Sequence, residues 1–170
     1  ATSTTLLLLF VIEYTGQPHL LSRRLRWLLW LAPLLIIALA WTNDWHHWFW
    51  SGFAPGPAST NWLIYRHGLA YWIAIAYIYS LSAIVLYLLM RARSQMLPKP
   101  YRQQIVWLMA CVVFPMVGGV IYLIAPPPIA GLDTTPLAFS LTGLLLAWNM
   151  ANQRMFDILP IAHHLLIENL

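Results

Sequence analysis

Leu132-Asp133-Thr134-Thr135-Pro136 opens the stretch that decides the fold, which runs on through Ala147-Trp148-Asn149 to Arg154-Met155-Phe156-Asp157-Ile158-Leu159-Pro160. Asp133 and Thr135 are good helix N-caps, and Pro136 has no N–H to lose in a first helical turn. No residue from 136 to 150 carries a charge. Arg154 and Asp157 then mark a return to water, and a polar-apolar helical pattern continues to Glu168-Asn169-Leu170. The pattern predicts a membrane helix that leaves the bilayer and leads toward a partner on its far side.

Composition agrees. Of 170 residues, 61% are hydrophobic and 8% are charged, against about 25% charged in a soluble domain. With ten tryptophans and a mean hydropathy of +0.68, the chain reads as an all-α, polytopic transmembrane helix bundle. The net charge of +4 does not point to nucleic acid, because basic residues in membrane proteins mainly set orientation. The single cysteine, Cys111, lies in an apolar run and leaves no internal disulfide.

Four more apolar segments precede the last. Residues 6–14 form the first. Even counted from Ala1, its helical length is about 22 Å, short of a hydrocarbon core of about 30 Å. The chain is therefore expected to begin partway through a helix, with more protein upstream. Thr15-Gly16-Gln17-Pro18 is a turn signal, followed by Arg23, Arg24 and Arg26. Residues 27–41 are the second span. Pro33 within it cannot donate to the carbonyl of Leu29, so a bend is expected and a neighbour must satisfy the freed oxygen.

Thr42-Asn43-Asp44-Trp45-His46-His47 leads into a Gly/Pro/Ser loop up to Asn61. Residues 71–90 are the cleanest span, headed by Tyr65, Tyr71 and Trp72 as an interfacial belt. Residues 105–125 follow, bent by Pro115 and thinned by Gly118 and Gly119, where small residues let helices approach closely. The expectation is five visible helices in a bundle at 1–153, then a connecting helix at 154–170.

Lysine and arginine placement sets the orientation. Loops 15–26 and 91–104 and the exit at Arg154 share one side and hold eight of the nine basic residues; the other side holds only Arg66. That asymmetry puts the C-terminus in the cytoplasm.

Residues with chemical potential are few. His46, His47 and His67 with Asp44 share the outer loops, but no spaced pair such as H-x-x-x-H occurs, and capping is favoured over a metal site. Glu13 sits one turn before Gly16, within reach of Arg23 or Arg24, so a structural pairing is favoured. Trp41, Asn43, Asp44, His46, Tyr71 and Asp133 form the candidate ligand-binding set, an aromatic-lined pocket with a few polar groups. Pro33, Pro115, Arg154, Asp157 and Pro160 are the candidate hinge and relay residues. No P-loop, nucleophile elbow, Cys/His metal box or paired intramembrane carboxylates occur, so neither a catalytic residue nor a metal or cofactor is expected in this segment.

Three runs carry a resemblance: Phe10-Val11-Ile12-Glu13-Tyr14-Thr15-Gly16; Thr42-Asn43-Asp44 with His46-His47 and Trp50; and Gly131 through Phe139 with Arg154, Asp157, Pro160 and Ala162. In this order they resemble the N-terminal seven-helix sensor region of bacterial membrane histidine kinases, which some members attach to diguanylate cyclases instead. One departure is Gly119, where relatives often carry Asn after the glycine. The resemblance implies two helices and part of a third upstream of Ala1. It further implies a homodimer in the bacterial inner membrane, and a cytoplasmic output after Leu170 that binds ATP and Mg and passes phosphate to a response regulator.

His163-His164 do not match a phosphoacceptor run. The leading expectation is thus a signal-input module responding to an unidentified small-molecule or membrane stimulus. A transporter or channel subunit, or an accessory subunit of a membrane complex, is the alternative.

Overall fold

The computed structural model describes residues 1–17, 21–55, 63–94, 99–124 and 133–153. In chain order these form α1 (Thr2–Tyr14), α2 (Arg23–Trp41), α3 (Asn43–His46), β1 (Trp50–Pro55), β2 (Leu63–His67), α4 (Leu69–Ser94), α5 (Lys99–Ile124) and α6 (Thr135–Gln153). Arg23–Trp41, Leu69–Ser94 and Arg102–Ile124 are long and apolar enough to cross a membrane, while Thr2–Tyr14 and Thr135–Trp148 are shorter apolar helices. The described residues of all five expected segments are helical, and among the described residues three helices are long and apolar enough to span.

Local chemistry explains the boundaries. α1 ends in a Schellman motif: Gly16 adopts φ of 66°, its N–H donates to Glu13 O, and the Gln17 N–H donates to Ile12 O. A left-handed φ at this position favours glycine. α2 starts at Ser22, whose hydroxyl accepts from the Leu25 N–H at 3.3 Å.

The core lies between α1, α4 and α5. Leu8, Val11 and Ile12 meet Leu81, Val85, Leu88 and Leu89 of α4 and Ile105, Leu108 and Val112 of α5. These positions recur at three- and four-residue steps, so each helix presents one stripe inward. The opposite faces are equally apolar, with Ile73, Ile84, Tyr87 and Met90 all exposed, as helices facing lipid should be. α2 packs least, and Pro33 is its one buried residue.

α6 packs mainly on α5. An ideal Cβ on Gly118 would lie 2.8 Å from Ala138 Cβ, so the glycine is what lets these backbones approach. Thr134 locks the same point by donating its hydroxyl to Gly118 O at 2.8 Å.

The chain is mostly helical, as expected, with one short addition that the sequence reading did not include. β1 and β2 form an antiparallel hairpin with Trp50 opposite His67, Phe53 opposite Tyr65 and Pro55 opposite Leu63, and a bulge between Trp50 and Gly52. Residues 50–55 therefore are not loop, and Tyr65 sits in a strand. Burial alternates along β1, and the rings of Phe53 and Tyr65 meet across the strands at 5.2 Å. Cross-strand aromatic pairs of this kind are what stabilise short strands.

The two ends of the bundle differ in charge. Arg23, Arg24 and Arg26 at the start of α2, Arg91 and Arg93 at the end of α4, and Arg102 at the start of α5 gather at one end. Glu13 closes on this group by pairing with Arg26 at 2.9 Å, not with Arg23 or Arg24. The hairpin occupies the other end, where α3 leads in and α4 leads out.

Candidate functional site

The sequence-derived ligand set divides into three. Asn43 is a structural clamp. Its Oδ1 accepts from the N–H groups of Phe49 and Trp50, both at 2.9 Å, and its Nδ2 donates to Trp50 O at 3.0 Å. Asn43 is buried, and its amide fixes the entry to β1. His46 is a second clamp. Its Nδ1 accepts from the Trp48 N–H at 3.0 Å, and its Nε2 lies 3.1 Å from Thr42 Oγ1. Because that hydroxyl already donates to Ala38 O at 2.8 Å, Nε2 is the donor to it. His47 ends the short helix at φ 53°.

Trp41 and Asp44 point away from the bundle. Trp41 is 85% exposed and its neighbour Trp45 87%; Asp44 is also exposed. Both tryptophans suit headgroup depth. Only Tyr71 and Asp133 of the original set come together, in a cavity of about 280 Å³ at the hairpin end. α1, α4, α5 and α6 all contribute to its wall, through residues such as Leu7, Ile75, Tyr79, Pro115, Met116, Tyr122 and Phe139.

His67 anchors the mouth of this region. Its ring stacks on Tyr71 with centroids 3.8 Å apart and 8° between planes. Its Nε2 is 3.2 Å from the Tyr122 hydroxyl, which ties β2 to α5. Its Nδ1 is buried and has no hydrogen-bond partner among the described residues. Burial lowers the pKa of His67, because an imidazolium would lose hydration without gaining a counter-charge.

The proline positions have clear local chemistry. The Leu29 carbonyl that Pro33 leaves unpaired is taken by the Tyr77 hydroxyl at 3.0 Å, and Tyr77 also lies 3.1 Å from Thr5 Oγ1. A single tyrosine of α4 thus joins α1 and α2. Pro115 lines the cavity, and one residue on, the Met116 carbonyl accepts from the Tyr79 hydroxyl at 2.8 Å. Gly119 makes room for that tyrosine, since a Cβ there would stand 2.8 Å from Tyr79 Oη. Arg154, Asp157 and Pro160 lie outside the described residues.

The mid-span hydroxyls fold back on their own helices. Ser82 donates to Ile78 O, Ser140 to Pro136 O and Thr142 to Ala138 O, each at 2.9 Å. Their protons are thereby used within their own helices. Among the described residues, no three His, Cys, Asp or Glu side chains gather to hold a metal ion.

A family model described as the N-terminal 7TM region of histidine kinase matches residues 1–160. The chain belongs to that family. No curated protein and no solved structure gives a significant match. Membership accords with the apolar, mostly helical make-up of this region. Sequence reading missed Tyr77, Tyr79 and Tyr122, and the ring stack at His67. The available signal was a tyrosine in the midst of an apolar helical run, facing a proline or glycine in a neighbouring span.

Proposed function

We propose that this 7TM region is the membrane input module of a sensor histidine kinase, and that α6 carries the signal to a cytoplasmic output. The observation behind this reading is the double attachment of α6. It lines the cavity through Thr135 and Phe139, with Asp133 just ahead of it, and Thr134, the residue before its start, latches it to α5 at Gly118. A stimulus that fits one arrangement of the cavity better than another shifts the balance between two packings of α5 and α6. Pro115 is the joint nearest the cavity. Pro33, further away, is braced by Tyr77.

In this scheme the arginine end faces the cytoplasm of a bacterial cell, in keeping with the positive-inside rule. Arg154, Asp157 and Pro160 form the coupling to the output domain. The assembled receptor is a homodimer, and its kinase uses ATP and Mg to phosphorylate a histidine and then a response regulator.

The test is autophosphorylation of the full-length chain in vesicles. Gly118→Ala and Pro160→Ala should each shift basal phosphorylation while leaving membrane insertion intact. Unchanged basal and stimulated phosphorylation in both variants, or a full-length chain that never phosphorylates a histidine, would overturn the scheme.

A further inference from the structure

The cavity at the hairpin end has a chemical bias of its own. We propose that it binds a small organic cation, an ammonium group carried on an apolar body about the size of one ring; the signalling consequence rests on the input-module reading above. Its volume of about 280 Å³ is just below the usual range of ligand pockets, which starts at about 300 Å³, so only a small ligand fits.

The polar groups at the cavity are one carboxylate, the Ala1 nitrogen and a set of hydroxyls, including those of Ser3, Thr4 and Tyr71. Asp133 is the one lining side chain among the described residues with a full charge. One of its oxygens, Oδ1, accepts from the Thr135 N–H at 2.9 Å; the other has no hydrogen-bond partner among the described residues. The hydroxyls of Tyr79 and Ser82 donate their protons to Met116 O and Ile78 O, so their oxygens are left with lone pairs. The Tyr122 hydroxyl is engaged with His67. Tyr71, which interacts electrostatically with Asp133, makes no side-chain hydrogen bond among the described residues.

No lysine or arginine lines the cavity among those residues. Among the lining side chains a carboxylate ligand would therefore meet only like charge, whereas an ammonium would meet one carboxylate, hydroxyl oxygens and tyrosine rings. Cations are attracted to ring faces, and a charge-assisted hydrogen bond is roughly twice as strong as a neutral one. Asp133 is exposed, so the charged head need not shed all its water. The apolar body would rest against Leu7, Ile75, Val112 and Phe139.

The experiment is calorimetric titration of the purified full chain in lipid nanodiscs with phenethylammonium, phenethyl alcohol and phenylacetate, three probes sharing one apolar body. Saturable binding of the ammonium at least about tenfold tighter than the alcohol is expected, with no binding of phenylacetate. Asp133→Asn keeps an N-cap acceptor and removes the charge, so it should weaken the ammonium by at least about tenfold and leave the alcohol unchanged. Tyr71→Phe should weaken it less. Equal binding of all three probes overturns the proposal. So does an Asp133→Asn protein that retains wild-type affinity, or no binding to a chain whose melting is otherwise normal. Asp133-dependent binding without any change in phosphorylation upholds the site and sinks the relay. A chain that responds to some other stimulus but not to these probes sinks the site and leaves the relay standing.

Discussion

Gly118→Ala is the perturbation that reads the α5–α6 latch most directly. The added Cβ would sit 2.8 Å from Ala138 Cβ and 3.5 Å from Thr134 O, while carbon atoms in contact rest at about 3.5–4.0 Å. The helices must therefore part locally by roughly 0.7–1.2 Å. Overpacking of this kind costs about 1–3 kcal/mol, and the better helix propensity of alanine offsets about 1 kcal/mol of it.

Gly143 on α6 supplies the control, because a Cβ there meets nothing within 4 Å. Gly143→Ala should be neutral or stabilising by up to about 1 kcal/mol. Denaturation of the purified chain in micelles, followed by circular dichroism, should rank Gly118→Ala below Gly143→Ala by about 1–3 kcal/mol. Adding Ala138→Gly removes the atom that is struck. The double variant should therefore recover part of the loss, with a coupling of about 0.5–3 kcal/mol. Gly118→Ala as stable as Gly143→Ala, or no recovery in the double variant, would refute the claim that the helices are locked at this point.

Other outcomes follow from single side chains. Tyr77→Phe leaves the Leu29 carbonyl unpaired beside Pro33, and should lower stability by about 1–3 kcal/mol in the same denaturation assay. Asn43→Ala removes three hydrogen bonds at the start of β1 and should release the hairpin. Trypsin cleavage at Arg66 should then become faster, while cleavage at Arg91 stays unchanged. His67 gives a pH dependence of stated sign. Burial depresses its folded pKa, so its contribution is fully present above the unfolded value of about 6.5 and is lost as pH falls through the lower folded value. Tryptophan fluorescence of the hairpin should report this loosening on acidification, and His67→Phe should flatten that part of the curve.

The helices were legible because each is an apolar run with its own punctuation, such as Gly16 after α1 and Asp133 before α6. The Leu29 carbonyl needing a partner was legible too, since a proline always frees one. Which group supplied it was not, because Tyr77 lies across the bundle in another helix. The hairpin escaped notice because its strands are five and six residues long, and their aromatics look the same as a membrane belt. The partner of Glu13 depended on which of three neighbouring arginines faces α1, which residue spacing does not contain. Tyr71 and Asp133, two of the six candidates, lie on one cavity because they sit near the starts of α4 and α6 at one end of the bundle. Trp41 and Asp44 sit at that end as well, but they face outward.

Orientation is the claim that the sensing scheme depends on most. The measurement that tests it is labelling of intact cells by a membrane-impermeant maleimide, in a Cys111→Ala background, with Ser51→Cys in the hairpin or Ser94→Cys at the arginine end. Ser51→Cys should be labelled in intact cells, and Ser94→Cys only after the membrane is permeabilised. The reverse pattern would contradict this orientation.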